Sequence, residues 1–253
     1  MSAPTGSSTS LGSRSAGEAA GTLVVSEVFG PTFQGEGPSI GRRCAFVRLG
    51  GCNLHCAWCD TPYTWDWTGR NGHRYDPRQE LTRRSVEDVW EELDRKSVQM
   101  LVVSGGEPLL QQDALTGLLQ RAAGACWWIE VETAGTIVPA PGVAALVSQF
   151  NVSPKLSNSG NRVRSRYVPA ALDALRETGK AAWKFVATAP EDLDEIDGLV
   201  DEHQLCPVYV MPEGTQAGVV NTRAQELAEG VLARGWNLTT RLQVLLYGNR
   251  RGV

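Results

Sequence analysis

The sequence predicts an α/β fold, a single domain built on a mainly parallel sheet. Two observations carry this prediction. Segments rich in β-branched residues alternate with segments whose apolar residues recur at helical spacing, and such alternation favours a parallel sheet covered by helices. Polar, glycine-containing segments also follow several predicted strands, where parallel sheets place their ligand-binding loops. The periodicity fits a barrel-like curl and an open doubly wound sheet equally well.

Composition excludes several classes of protein. The chain has 253 residues, 42% of them apolar, with 24 Lys and Arg against 28 Asp and Glu. A chain of this length buries enough surface to fold without disulfides. The slightly acidic balance argues against a protein that binds nucleic acid through phosphate contacts. No apolar run is long enough for a transmembrane helix, so we expect no membrane partner and a cytoplasmic location.

The first 20 residues differ in composition from the remainder. They are rich in Ser, Gly, Ala and Thr and lack the apolar core of a signal peptide. We expect a disordered tail over residues 1–20 and one folded domain over residues 21–253.

Two strands are predicted before the first helix, at 22–29 and 44–49, separated by a loop rich in Gly and Pro. Residues 68–80 are polar and predicted to form turns. The first helix is predicted to start at Ser85, because Asp88 follows it three residues later. One apolar face of that helix is formed by Val86, Val89, Trp90 and Leu93.

Strands and helices alternate over the rest of the chain. Strands are predicted at 100–103, 126–131, 149–152, 182–186, 207–210 and 238–245, and helices at 110–123, 169–178, 190–201 and 221–234. The polar segments 104–108, 132–135, 153–155 and 211–214 directly follow strands. Because the carboxyl ends of parallel strands share one edge, we expect these four segments to lie together.

Three of the six cysteines, Cys52, Cys56 and Cys59, have the spacing C-x3-C-x2-C. A structural zinc ion and a ferredoxin cluster each take four ligands. Three thiolates on a four-iron cluster would leave one iron open to a small molecule. A zinc site that borrows His55 or a distant cysteine is the alternative. We expect Cys44 and Cys126 to be small buried residues, and the three histidines, His55, His73 and His203, to be solvated.

The cysteine spacing and the segment Ser104-Gly105-Gly106-Glu107-Pro108 resemble the radical S-adenosylmethionine superfamily. The flanking segments Phe33-Gln34-Gly35-Glu36-Gly37, Phe46-Val47-Arg48-Leu49-Gly50-Gly51-Cys52-Asn53-Leu54 and Cys59-Asp60-Thr61 resemble the 7-carboxy-7-deazaguanine synthase family. Val152-Ser153-Pro154-Lys155 and the ending Leu245-Leu246-Tyr247-Gly248-Asn249-Arg250-Arg251-Gly252-Val253 are similar to it as well. The resemblance runs from about residue 23 to the C-terminus and implies a partial (β/α) barrel of the radical SAM type.

The resemblance also implies an activity. Members of the family convert 6-carboxy-5,6,7,8-tetrahydropterin into 7-carboxy-7-deazaguanine by a radical ring contraction with loss of ammonia, in 7-deazapurine biosynthesis of the queuosine type. The implied cofactors are a [4Fe-4S] cluster, S-adenosylmethionine and Mg²⁺. The implied partners are the small pterin substrate, an electron donor such as flavodoxin or ferredoxin, and a second copy of the chain in a homodimer.

Site residues follow from the resemblance position by position. The cluster ligands would be Cys52, Cys56 and Cys59, and the magnesium ligand Thr61. The substrate contacts would be Phe33, Gln34, Gly35, Glu36, Arg48, Ser104, Gln243 and Val253. The S-adenosylmethionine contacts would be Trp58, Asp60, Gly105, Gly106, Glu107, Glu132, Ser153, Pro154 and Lys155. Gln243 stands where many members have a histidine, and an amide can hydrogen-bond but cannot carry a proton at neutral pH.

Two other functions fit part of the pattern. A small glycyl-radical-enzyme activase shares the cysteine spacing and the chain length, but segments 34–37 and 60–61 argue against it. An iron–sulfur electron carrier or a zinc-stabilised adaptor would not be an enzyme. Against these, the chain lacks a nearby fourth cysteine and has the glycine-rich segment 105–108.

Overall fold

The computed structural model describes residues 21–253 and contains one sheet with the strand order β3-β1-β2-β4-β5-β6-β7-β8-β9. The strands are β1 (Thr22–Phe33), β2 (Arg43–Leu49), β3 (Thr82–Ser85), β4 (Met100–Gly105), β5 (Trp128–Thr133), β6 (Gln149–Val152), β7 (Ala181–Ala187), β8 (Val208–Pro212) and β9 (Asn237–Leu238). All neighbours from β2 to β9 run parallel, and β1 pairs antiparallel with β2 and β3. The sheet is not closed, so the predicted mainly parallel partial barrel is confirmed.

Helices connect the parallel strands, and one further helix follows the last strand. They are α1 (Pro77–Glu80), α2 (Val86–Asp94), α3 (Gln112–Gly124), α4 (Pro141–Leu146), α5 (Val163–Arg166), α6 (Pro169–Glu177), α7 (Asp192–His203), α8 (Ala217–Ala233) and α9 (Leu242–Tyr247). Helix α2 begins where the sequence predicts, because Ser85 Oγ accepts a hydrogen bond from the Asp88 N–H at 3.1 Å. Within residues 21–253, no helix combines the length and apolarity needed to cross a bilayer.

Alternate residues of β2 and β4 belong to two different apolar clusters. On β4, Leu101 and Val103 belong to the main core beneath the helices. Met100 and Val102 face the inside of the curl, where they pack with Phe29, Cys44 and Phe46. This inner apolar cluster lies on the face of the sheet opposite the main core, because successive strand residues point to opposite faces.

The end of the chain differs from the sequence-based prediction. Residues 238–245 were expected to form a strand, but β9 contains only Asn237 and Leu238, and a helix follows. The chain turns away because it binds the loop after β1. The Gly37 N–H donates to Thr239 Oγ1 at 3.0 Å, and the Leu242 N–H donates to the Gly35 carbonyl at 2.9 Å. These long-range contacts override the β-branched pattern.

Smaller predictions were also wrong. His203 is buried, with Nδ1 3.0 Å from Asp173 Oδ1 and Nε2 2.9 Å from the Tyr167 hydroxyl. Cys126 is exposed, because it lies in a turn with φ +59° before β5 begins. Strand β3 and the short helices α1, α4 and α5 were not predicted, and α1 lies in the segment 68–80 that was expected to form turns. Cys44 is buried, and His55 and His73 are exposed, as expected. The predicted tail, residues 1–20, lies outside the described residues.

Candidate active site

A pocket opens at the carboxyl ends of the strands. The four polar segments expected at this edge all contribute to it, through Ser104, Glu132, Ser153, Glu213 and their neighbours. The three closely spaced cysteines line the same pocket. The strand order therefore brings together side chains from nearly the whole length of the chain.

The cysteine loop follows β2, and each of its sulfur atoms accepts a contact from an N–H group. The Leu54 N–H points to Cys52 Sγ at 3.4 Å. Asn161 Nδ2 lies 3.2 Å from Cys56 Sγ, and Trp65 Nε1 lies 3.3 Å from Cys59 Sγ. N–H donors at all three sulfur atoms suit thiolates that carry negative charge.

These cysteines fit an iron–sulfur cluster better than a single metal ion. Burial raises the pKa of the Cys52 thiol to about 12, and burial also raises the pKa of Cys56 and Cys59. Such thiols need adjacent cations to bind as thiolates. In the part of the chain that the structure describes, no three Cys, His, Asp or Glu side chains are grouped to hold one ion. In a cluster, by contrast, each thiolate binds a different iron.

The glycine-rich segment after β4 packs directly on the cysteine loop. A Cβ at Gly106 would lie 2.0 Å from the Gly51 carbonyl oxygen and 2.9 Å from Cys52 Cβ. The Glu107 N–H donates to the Gly51 carbonyl at 2.8 Å. Glycine is required here because two backbones approach too closely for a side chain. Gly105 and Gly106 both line the pocket.

Glu107 was expected to contact the cofactor, but it does not line the pocket. It is fully buried, and its carboxylate accepts from the Leu109 N–H at 3.1 Å, the Thr133 hydroxyl at 2.8 Å and the Ala134 N–H at 2.7 Å. Burial raises its pKa despite these donors. Glu107 therefore holds the segment after β5 against the segment after β4.

Glu36 lies at the centre of a buried charge network on the opposite side of the pocket. It pairs with Lys184 on β7 and accepts from Arg241 Nε at 3.2 Å and Gln243 Nε2 at 2.7 Å. Burial by itself would raise the pKa of Glu36, but the two cations outweigh it and hold that pKa well below its usual range. The Glu36 carboxylate is therefore an ionised acceptor. Glu132 lies beside it, 4.0 Å from Lys184 Nζ, and burial raises its pKa.

The Gln34 side chain is already hydrogen-bonded within the protein. Its Nε2 donates to Glu130 at 3.1 Å and to Glu132 at 3.3 Å, and its Oε1 accepts from the Glu36 N–H at 3.3 Å. Ser39 and Asn151 also donate to Glu130 beneath the pocket. Gln34 thus fixes the loop that carries Glu36.

Two predicted substrate contacts, Arg48 and Ser104, are neighbours on β2 and β4. The Ser104 hydroxyl is buried, and no partner for it is present among residues 21–253. Gln243 Oε1 is a second buried polar atom without a described partner. Phe33, Gly35 and Val253 complete this side of the pocket. Unpartnered buried polar atoms that face a pocket are typical of ligand contacts.

The remaining predicted residues surround the cysteine loop. Trp58, Asp60, Thr61, Ser153 and Lys155 line the pocket. Lys155 Nζ donates to the Ser153 carbonyl at 2.7 Å and hydroxyl at 2.8 Å, and it lies 5.9 Å from the centre of the Trp58 ring. The Asp60 carboxylate binds Arg241. Pro154 was also expected to contact the cofactor, and like Glu107 it does not line the pocket.

Sequence reasoning missed Lys184 and Arg241, although both are nearly buried and line the pocket. Lys184 had a signal, because a charged residue interrupts the otherwise apolar strand Ala181–Ala187. No sequence signal pointed to Arg241, because its two carboxylate partners, Glu36 and Asp60, lie far away in the sequence. Glu130 gave the same kind of signal as Lys184, because it is a charged residue within the predicted strand 126–131, and the structure shows that it is fully buried.

Known proteins resemble the chain over nearly its whole length. Residues 33–141 match a family model described as "4Fe-4S single cluster domain". A 7-carboxy-7-deazaguanine synthase of Pyrobaculum aerophilum is 32% identical over 236 residues, covering 90% of the chain and 96% of the relative. Its counterpart in Rhodopirellula baltica is 31% identical, covering 91% of the chain and 89% of the relative.

A solved structure shares the fold. The crystal structure of QueE from Escherichia coli superposes with a TM-score of 0.64 and 24% identity, covering 87% of the chain and 94% of that structure. Streptococcus suis SuiB is more distant. Its structure bound to the precursor peptide superposes with a TM-score of 0.50, and the match covers 46% of the SuiB chain.

Proposed function

The chain belongs to the 7-carboxy-7-deazaguanine synthase family of radical S-adenosylmethionine enzymes, and we propose that it converts 6-carboxy-5,6,7,8-tetrahydropterin into 7-carboxy-7-deazaguanine with loss of ammonia. The observation that carries this proposal is one pocket in which three clustered cysteines face an arginine and an ionised carboxylate. Cysteines and charged groups so arranged suit a cofactor on one side and a flat, polar, carboxylated substrate on the other.

Cys52, Cys56 and Cys59 would hold the [4Fe-4S] cluster. The cluster and S-adenosylmethionine, when bound, supply the one-electron cleavage that starts the radical reaction. The N–H groups of Leu54, Asn161 and Trp65 stabilise negative charge on the three sulfur atoms. The segment at Gly106 packs on Gly51 and Cys52 and so keeps the cysteine loop against the sheet.

S-adenosylmethionine would lie between the cysteine loop and the segments that follow β4 and β6. The backbone at Gly105 and Gly106 lines the pocket close to the first cysteine. The ammonium of Lys155, which Ser153 orients, suits the methionine carboxylate. Trp58 and Asp60 would border the adenosyl part. Glu132 would be within reach of either ligand, because it lines the pocket beside Lys184.

The pterin would lie between β1, β2 and the C-terminal segment. The Arg48 guanidinium suits the substrate carboxylate because it can donate two parallel hydrogen bonds. The ionised Glu36 carboxylate suits the N–H edge of the pterin, and the unpartnered oxygen of Gln243 offers a further acceptor. The Ser104 hydroxyl and the backbone near Gly35 would complete the contacts.

Thr61 would ligate Mg²⁺ together with substrate oxygens, since Mg²⁺ takes oxygen ligands and few of them from protein. The Thr61 hydroxyl lies 3.7 Å from Cys59 Sγ, at the border between the two proposed ligands.

The family resemblance supports three further proposals: a homodimer, a cytoplasmic location, and a flavodoxin or ferredoxin as electron donor. The product would enter either queuosine in transfer RNA or another 7-deazapurine.

The proposal is tested by anaerobic turnover. The chain is reconstituted with iron and sulfide and supplied with reductant, S-adenosylmethionine, Mg²⁺ and 6-carboxytetrahydropterin, and the product is followed by mass spectrometry. We expect 7-carboxy-7-deazaguanine from the wild type, none from Cys56→Ala, and normal amounts from Cys206→Ala, whose thiol is exposed. If S-adenosylmethionine is cleaved but no 7-carboxy-7-deazaguanine forms, the proposed cofactor chemistry is supported and the proposed substrate is wrong.

A further inference from the structure

The last six residues lie outside helices and strands yet reach the pocket. Helix α9 ends at Tyr247, and Gly248 turns the chain with φ +67°. The terminal residue, Val253, then lines the pocket. A chain end without regular structure needs side-chain anchors to stay in one place, because ordering it costs conformational entropy.

Arg251 supplies such an anchor. Its guanidinium pairs with Glu27 on β1, donates to Glu80 Oε2 at 2.6 Å and reaches Ser26 Oγ at 3.3 Å. The same group lies 3.8 Å from the centre of the Tyr63 ring, within the range of a cation–π contact. A single exposed ion pair contributes little, but one guanidinium that meets two carboxylates and an aromatic face forms a network.

Glu27 connects this anchor to the substrate side of the pocket. Its side chain is only 11% exposed, and while one carboxylate oxygen binds Arg251, the other accepts from Arg48 Nε at 3.3 Å. The structure records no hydrogen bond from the two terminal nitrogens of Arg48 to any residue in 21–253. The Arg48 side chain is therefore held by its Nε, and its terminal nitrogens remain available to a ligand.

We propose that Glu27 and Arg251 are positioning residues for a carboxylate-bearing substrate. Glu27 orients the guanidinium of Arg48, and through the same carboxylate Arg251 keeps the C-terminal segment against the pocket. The identity of the ligand rests on the proposed function, whereas the anchoring of the chain end by Arg251 does not.

The first experiment measures how well the chain end is held. The reconstituted full-length protein, without substrate, is treated with a carboxypeptidase, and loss of Val253 is followed by mass spectrometry. Arg251→Gln is expected to be trimmed at least ~5-fold faster than the wild type, because the cost of releasing the segment falls. Arg250→Gln is the matched control, since Arg250 is exposed and has no ion pair in the described residues. Equal rates of Val253 loss in all three proteins would show that Arg251 does not anchor the chain end.

The second experiment separates orientation of Arg48 from general damage. Glu27→Gln is expected to raise KM for 6-carboxytetrahydropterin by ~10-fold or more with a smaller change in kcat, because Arg48 loses its charged partner. Binding of a tetrahydropterin without the carboxylate, measured as a competitive inhibitor, should stay within ~2-fold of the wild type. Glu27→Asp, which keeps the charge, should recover part of the loss.

The outcomes are distinct. If Glu27→Gln weakens both pterins equally, or neither, Glu27 does not position Arg48. If the wild type binds neither pterin, the proposed function fails, and the carboxypeptidase comparison still decides whether Arg251 anchors the chain end.

Discussion

Arg241 donates a hydrogen bond from Nε to Glu36 Oε1 at 3.2 Å, across 205 positions of the chain. The same guanidinium binds the Asp60 carboxylate and the Gly214 carbonyl. Asp60 directly follows the last of the three clustered cysteines. Arg241 therefore fixes the position of the Glu36 loop relative to the cysteine loop, and a reaction between two bound ligands depends on that position.

Replacing Arg241 should cost stability as well as activity. Arg241→Met leaves the buried Glu36 carboxylate with one cation in place of two, and breaking a buried pair typically costs about 3 kcal/mol. We expect a fall of that size in the free energy of unfolding of the cluster-free protein, measured by urea denaturation. Arg162→Met is the control, because Arg162 is exposed. A loss equal to that of the control would contradict the structural role of Arg241.

The depressed pKa of Glu36 predicts how stability varies with acidity. A carboxyl whose pKa is lower in the folded than in the unfolded state stabilises the protein above its unfolded value of 4.5, and this stabilisation is lost as the pH falls below that value. Glu36→Gln should therefore be markedly less stable than the wild type at about pH 6, with the difference shrinking toward about pH 3. Urea denaturation at several pH values measures it. A difference that stays constant with pH would show that Glu36 does not titrate as described.

The three clustered cysteines should each be indispensable for iron binding. Cys52→Ala, Cys56→Ala and Cys59→Ala are expected to lose most of the ~4 irons of a cubane cluster after anaerobic reconstitution. Cys206→Ala and Cys126→Ala should keep them, since both thiols are exposed and outside the pocket lining. Iron and sulfide analysis together with the visible absorbance of the cluster measures the effect. Full iron content in any of the first three variants would remove that cysteine from the ligand set.

The role proposed for Thr61 separates magnesium dependence from cofactor cleavage. Thr61→Ala removes one oxygen ligand, so the Mg²⁺ concentration for half-maximal product formation should rise by ~10-fold. Cleavage of S-adenosylmethionine should change by less than ~2-fold, and Thr61→Ser should behave like the wild type because it keeps the hydroxyl. Equal loss of both activities, or no change in either, would contradict the assignment.

Gly35 and Gln243 should behave as a coupled pair. A Cβ at Gly35 would lie 1.8 Å from Gln243 Oε1, so Gly35→Ala must displace the Gln243 side chain. We expect KM for the pterin to rise by at least ~10-fold in Gly35→Ala, and adding Gln243→Ala should cause little further loss because the contact is already broken. Steady-state kinetics of the two single variants and the double variant measure this. Strictly additive effects would show that Gln243 does not act through its contact with Gly35.

Features of the fold that depend on neighbouring residues were predictable. The start of α2 at Ser85 follows from a local hydrogen bond to the Asp88 N–H. The central strands were located from their apolar segments, and the parallel order followed from the alternation of strands and helices. The prediction was wrong at residues 238–245 and at His203, where partners distant in the sequence determine the structure.

The sequence by itself determined the chemistry of one side of the site, because Cys52, Cys56 and Cys59 lie within one loop and their spacing is visible without a fold. On the other side, the resemblance named Glu36, but only the tertiary structure showed which cations pair with it. Lys184 and Arg241 pair with Glu36 only because β7 and the C-terminal segment are brought beside the loop after β1. It also showed that the sheet stays open, since closure depends on strand pairing between distant segments. Ion pairs and strand pairings between residues so far apart in the sequence depend on the tertiary packing of the whole domain, and local sequence patterns do not identify the partners.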